Sequence, residues 1–220
     1  MQLHIYEYGS GGPVILWGMF PHRENEIAHT IECVEELVGD KSFLLVAYQV
    51  EDWNRQFSLW KTDELDGSFA GGAAQTLAWL EDELIPQIKI RYGRAEEYYL
   101  TGYSLAGLFS LWAAYESDFF AGAACCSGSL WYPGFLDYTK THYMSENKKI
   151  YLSLGGREEK TKDRLISTVG VCTREIYNSL GHVSATKYEM NSGGHFADSG
   201  KRIAKGVRWL LEDKPNICQN

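Results

Sequence analysis

A chain of 220 residues is long enough for one sizeable core and too short for two domains of ordinary size, so a single domain over 1–220 is expected. With 45% apolar and 23% charged residues it has the composition of a folded globular protein, and no apolar run nears the roughly 18 residues of a membrane span. A formal net charge of −8 with no Lys/Arg-rich stretch to offset it repels phosphate backbones and excludes nucleic acid as an expected partner. Five cysteines, an odd number without Cys-x-x-Cys spacing, argue against a disulfide framework and a zinc knuckle. Adjacent Cys125 and Cys126 lie in an apolar run and read as core thiols, and neither a metal nor a cofactor is expected. The first seven residues lack a basic segment followed by an apolar stretch, so a cytoplasmic location is the expectation.

Residues 3–6 and 14–17 read as two short strands, and the Gly-Ser-Gly-Gly-Pro link between them suits a hairpin. From Glu24 to Val38 the spacing of Ile27, Ile31, Val34 and Val38 predicts a helix, closed by Gly39. The continuous apolar run 43–48 predicts a strand covered on both faces. Residues 49–72 have no period and carry Trp53, Phe57, Trp60 and Phe69, which suits the wall or lid of a site as well as a loop plugged onto the body. Helical spacing returns over 73–91, with Pro86 expected to kink it. A strand over 98–101 and a helix over 105–115 follow, then a strand over 121–126, a turn-rich loop over 127–134 and a short helix over 135–141. Residues 150–154 read as a strand. A long helix then carries Leu165, Val169, Cys172, Ile176 and Leu180 on one face and ends at Gly181. The alternating run 183–190 suits an edge strand, and 199–211 is a last amphipathic helix. Strands alternating with helices after an initial hairpin imply a mostly parallel central sheet with helices on both faces, whose chemistry collects at the carboxyl ends of the strands.

Three of those ends carry reactive side chains. Ser104 sits in Gly102-Tyr103-Ser104-Leu105-Ala106-Gly107, a strand-to-helix turn in which Gly102 and Ala106 are small enough to lie against each other. Glu158, Glu159 and Asp163 follow the 150–154 strand, and His195 lies in a Gly-Gly-His-Phe turn. The order nucleophile, acid, base is that of an α/β-hydrolase triad. A serine hydroxyl needs His195 to take its proton and return it to the leaving group, and a carboxylate on the other ring nitrogen fixes the tautomer. Glu158 is favoured as that carboxylate, since the strand has just ended before it; Glu159 points the other way in an extended chain, and Asp163 falls toward the next helix. The oxyanion is expected to be received by the backbone N–H of Leu105 and by that of Met19, ahead of Phe20, after the strand 14–17.

On these residues the sequence resembles the esterase family of α/β-hydrolases, the group that includes S-formylglutathione hydrolases, feruloyl esterases, siderophore esterases and mycolyltransferases. The likeness covers most of the chain through GYSLAG at Ser104, SGSLW at residues 127–131, GGREE at Glu158, GGHF at His195 and the loop from Trp53 to Trp60. It implies the α/β-hydrolase fold and assigns Ser104, Glu158 and His195 to the family triad, with Trp131 on a loop that borders the site. The chain departs from the family pattern at Ala106, where Gly is commoner, and at Trp17-Gly18, where many relatives carry His-Gly. No insertion is long enough for a large cap domain. The expected activity is hydrolysis of a soluble carboxylic ester through an acyl-enzyme, with acyl transfer or non-catalytic binding on the same scaffold as alternatives. Trp53, Trp60, Trp131 and Tyr132 are candidates for stacking on a small-molecule ester substrate, and Arg23 and Arg55 for pairing with an anionic group on it. The sequence carries no signal for oligomeric state.

Overall fold

The computed structural model describes residues 1–20, 24–93 and 97–213. Seven strands form one sheet: β1 (Gln2–Tyr8), β2 (Val14–Met19), β3 (Phe43–Gln49), β4 (Tyr98–Tyr103), β5 (Gly122–Cys126), β6 (Lys149–Gly155) and β7 (Ala185–Asn191). Their order is β1-β3-β2-β4-β5-β6-β7, with β1 antiparallel to β3 and every other neighbouring pair parallel. The helices are α1 (Glu24–Val38), α2 (Trp53–Phe57), α3 (Ala73–Trp79), α4 (Ile85–Tyr92), α5 (Leu105–Glu116), α6 (Phe135–Thr141), α7 (Val169–Ser179) and α8 (Ser199–Leu210).

The inner strands bury all their residues except the half-buried Gln49 and Tyr103 at the carboxyl ends of β3 and β4, because successive residues point to opposite faces and both faces are covered. Phe43, Leu45 and Ala47 of β3 join Ile15 and Trp17 of β2 beneath α1 and α8, whereas Leu44, Val46 and Tyr48 join Val14 and Leu16 beneath the other helices. On α8 the stripe Ile203, Val207 and Leu210 is buried, at roughly 1.5–3 kcal/mol for each aliphatic side chain removed from water. That stripe is what fastens a helix with a charged outer face to the sheet.

Three local expectations are corrected. β1 and β2 form no hairpin: β3 lies between them, and the 9–13 link crosses the start of β3, where Leu44 N–H donates to Pro13 O at 3.0 Å. The single helix expected over 73–91 is interrupted just before Pro86. A π-helical segment, Leu80–Leu84, separates α3 from α4, with the Ile85 N–H bonded to Leu80 O five residues back, and this shifted ladder seats the ring in the first turn of α4. The long helix around Leu165 is instead a 3₁₀ turn, Ile166–Thr168, followed by α7 and a second 3₁₀ turn, Leu180–His182. Asp163 starts it from outside, accepting from Leu165 and Ile166 N–H at 2.9 Å.

The topology fixes where a site opens. From β2 the chain moves to β3 on one side, and later it places β4 on the other side of β2. Connections leaving the carboxyl ends of β2 and β4 therefore diverge, and the crevice between them is the switch point of the sheet.

Candidate active site

Gly18 of β2 pairs with Gly102 of β4 at that crevice, and one residue past the end of β4 the chain turns abruptly into α5. Ser104 makes the turn with φ 56° and ψ −121°, a strained conformation for a residue with a Cβ, at a cost of roughly 1–3 kcal/mol. The turn closes only without a side chain at position 102, since a Cβ there would lie 2.5 Å from the carbonyl of Ala106. The other two described non-glycine residues with positive φ, Ser127 and Asp198, lie at the same edge, one after β5 and one before α8. Strain is concentrated where side chains must project from strand ends.

The strand-end residues Ser104, His195 and Glu158 are brought together. Ser104 Oγ lies 3.0 Å from His195 Nε2, and His195 Nδ1 lies 2.7 Å from Glu158 Oε2. Glu158 is 7% exposed. Burial pushes its carboxyl up, but the hydrogen bond and charge of His195, the Gly155 N–H and the Ser127 hydroxyl outweigh that and hold it below the ordinary carboxylate value. Of its neighbours in sequence, Glu159 turns away to Arg174 at 3.6 Å and Asp163 caps the 3₁₀ turn, so neither reaches the imidazole.

A cleft of about 250 Å³ opens over Ser104 and His195 and is walled by Trp17, Met19, Phe20, Trp53 and Phe196, with Ile203 toward α8. Met19 ends β2 on one side of Ser104, and Leu105 opens α5 on the other. The N–H of a first-turn residue such as Leu105 has no intrahelical acceptor. Trp53 borders the cleft and packs on Phe20 at 4.7 Å. Trp60 does not reach the cleft. Its Nε1 donates to Pro133 O at 3.0 Å and its ring packs between Tyr132 and Tyr138, so it fastens the long loop to the body. Trp131 is half-buried and is not part of the cleft wall either, and Arg55 is exposed on α2. Arg23 lies outside the described residues.

Sequence reasoning missed Arg202, the largest fully buried side chain among the described residues. Its Nη1 lies 2.7 Å from Glu158 Oε1, 2.7 Å from Ser127 Oγ and 3.0 Å from the Tyr103 hydroxyl, and its Nη2 donates to Ser192 O and Gly194 O at 2.9 Å. Tyr103 in turn donates to His195 O, and burial pushes its phenol up to about 12, so it stays a donor. The signal for Arg202 was a cation beside the apolar stripe of α8. Ser129 was also passed over; its Oγ is 3.3 Å from Ser104 Oγ, and its N–H donates to Ser104 O at 3.0 Å.

No group of three or more His, Cys, Asp or Glu among the described residues could hold a metal ion, and no helix there is long and apolar enough to cross a membrane. Among solved structures the fold is similar to an IroE-like serine hydrolase from Shewanella oneidensis, with TM-score 0.77 and 16% identity over 95% of this chain and 75% of that one. It is also similar to siderophore hydrolase EstB from Aspergillus nidulans, with TM-score 0.72 and 19% identity over 94% and 84% of the two chains. A ferulic acid esterase matches with TM-score 0.61 and 10% identity over 96% of both chains. Likeness at such identities is one of fold. No curated protein sequence matches. A serine turn at the switch point of an α/β-hydrolase sheet agrees with the sequence signature that spans residues 9–194, described as "Putative esterase", and this chain belongs to that family of carboxylic ester hydrolases.

Proposed function

We propose that the protein hydrolyses a small carboxylic ester through an acyl-enzyme on Ser104, with His195 as base and acid and Glu158 as its orienting carboxylate. The observation that carries this reading is the continuous line of contacts from Ser104 Oγ through the imidazole to Glu158 Oε2, at 3.0 and 2.7 Å. An ionised Glu158 accepts only, so the Nδ1 proton faces it and Nε2 is left to accept from Ser104. Ser104 Oγ attacks the ester carbonyl carbon as its proton passes to His195 Nε2. The oxyanion is received by the Leu105 N–H and the Met19 N–H, each such donor being worth roughly 3 kcal/mol. Collapse expels the alcohol, which takes the proton from Nε2. Water then attacks the acyl carbon as it gives a proton to Nε2, the acyl–Oγ bond breaks, and Nε2 returns that proton to Ser104 Oγ as the acid leaves.

The His195 side chain is 30% exposed, which supports water, rather than a sheltered alcohol or thiol, as the second acceptor. Trp53 is proposed to flank the substrate in the cleft. The test is the intact mass of the protein after exposure to a fluorophosphonate, beside Ser104→Ala. One adduct on the parent and none on the variant is expected. No adduct on folded parent protein would overturn the reading. With p-nitrophenyl acetate as the ester, Glu158→Gln is expected to lower the hydrolysis rate on the order of 10³-fold or more, since an amide cannot stabilise the imidazolium.

A further inference from the structure

Both ends of the His195–Glu158 hydrogen bond are tied to a single guanidinium. On the carboxylate side, Glu158 Oε1 is held by Arg202 Nη1 at 2.7 Å and by the Gly155 N–H at 2.6 Å, which leaves Oε2 as the atom that faces His195 Nδ1. On the imidazole side, Arg202 Nη2 holds the carbonyls of Ser192 and Gly194, and the Tyr103 hydroxyl, itself bonded to Nη1, holds the carbonyl of His195. These acceptors come from the carboxyl ends of β4, β6 and β7, and Ser127 Oγ adds the end of β5. Only a planar fork with five donors reaches all of them, and an ammonium group at the same place would reach a few.

We propose that Arg202 is a positioning residue for ester hydrolysis: it sets Glu158 Oε2 against His195 Nδ1 by holding the carboxylate and the 192–195 turn from one buried point, with Tyr103 as its relay to His195. The proposal rests on the assignment of Ser104, His195 and Glu158 made above. Arg202 touches neither Ser104 nor the cleft over it. Its loss therefore spoils alignment in the reacting complex and leaves substrate binding largely alone, and a misplacement of about 1 Å costs on the order of 100-fold in rate.

The experiment compares the parent with Arg202→Ala, Arg202→Lys, Tyr103→Phe and Ser104→Ala, using p-nitrophenyl acetate as the ester and thermal unfolding as the check on folding. For Arg202→Ala a fall in kcat of about 100-fold is expected, with KM within about threefold of the parent. Added guanidinium chloride at concentrations below the unfolding range is expected to raise kcat of Arg202→Ala at least about tenfold, while urea at the same concentrations does not, because the lost group is a charged fork. A purely structural loss would not respond to guanidinium. An Arg202→Ala protein with parent kcat, or with a lowered kcat that guanidinium leaves unchanged, would overturn the proposal. If Arg202→Ala does not fold, the two variants that preserve volume decide: kcat down about tenfold at unchanged KM in either supports it, and parent kcat in both overturns it. Parent activity in Ser104→Ala would instead overturn the nucleophile assignment, a result distinguishable from any behaviour at position 202.

Discussion

Tyr48 packs beneath the crevice with its ring against Phe57 and Trp79, fully buried, and its hydroxyl has no hydrogen-bond partner among the described residues. Burial pushes the phenol far up, so it stays neutral, and an unmet buried donor of this kind costs about 1–3 kcal/mol. Removing the oxygen and keeping the ring returns most of that. Tyr48→Phe is therefore expected to raise Tm by about 2–4 °C for each kcal/mol recovered. An unchanged or lower Tm in calorimetry would mean the hydroxyl is satisfied in solution and would sink the argument. The same scale explains what the sequence made legible at the site. Ser104 and His195 stand at strand ends among small residues, so each is visible from its own neighbourhood, whereas Glu158 is favoured over Glu159 and Asp163 only by its place just past a strand end; the structure brings Ser104, His195 and Glu158 together. Arg202 was not legible, because a helical cation acquires meaning only from Glu158, 44 positions away in sequence, and from backbone carbonyls that carry no residue identity. Trp60 misled for the opposite reason: a tryptophan in a polar loop looks the same whether it faces a ligand or, as here, packs on Tyr132 and Tyr138.

Elements are legible where the local apolar pattern alone defines them, by period in α1 and by a continuous apolar run in β3, and poorly legible where a connection decides. The link between β1 and β2 is rich in glycine, which suits a tight hairpin turn and a crossing over another strand equally well. What distinguishes them lies downstream, in a β3 that pairs with β1 on one edge and β2 on the other. Gly12 shows the crossing directly: it has φ +81°, and a Cβ on it would fall 1.9 Å from Ser42 O. Gly12→Ala is expected to destabilise by roughly 2–4 kcal/mol, combining left-handed strain with a backbone clash. The position precedes β2, at the opposite end of the parallel strands from Ser104, so kcat per folded molecule should match the parent. Urea unfolding with an unchanged m-value and a lower midpoint is the expected record. Parent stability would mean that the 9–13 link does not cross β3 in solution.

At the scale of the whole molecule, the sheet's burial of polar tips sets a limit at high pH. Burial is the first cause that pushes Cys126 from 9.0, and Tyr8, Tyr103 and Tyr115 from 10.0, up to about 12. The folded chain therefore keeps protons that the unfolded chain releases, so these groups stabilise the fold fully below about pH 9 and the benefit is lost as pH rises toward 12. Lys148 works in the opposite sense: burial lowers it from 10.5, so over part of the same window its contribution grows with pH and offsets a part of theirs. On the acid side the signs reverse. Glu158 and Glu189 are held below 4.5 despite burial that opposes it, by His195 and by Lys205 respectively, and their contribution is present above that value and lost as pH falls through the lowered ones. The expected profile is a plateau of Tm bounded by these two windows, with tyrosinate absorbance on the alkaline side rising together with unfolding in one cooperative step. Tyrosinate appearing gradually in protein that remains folded would show that these phenols are hydrated, and the alkaline limit would then have to come from elsewhere in the chain.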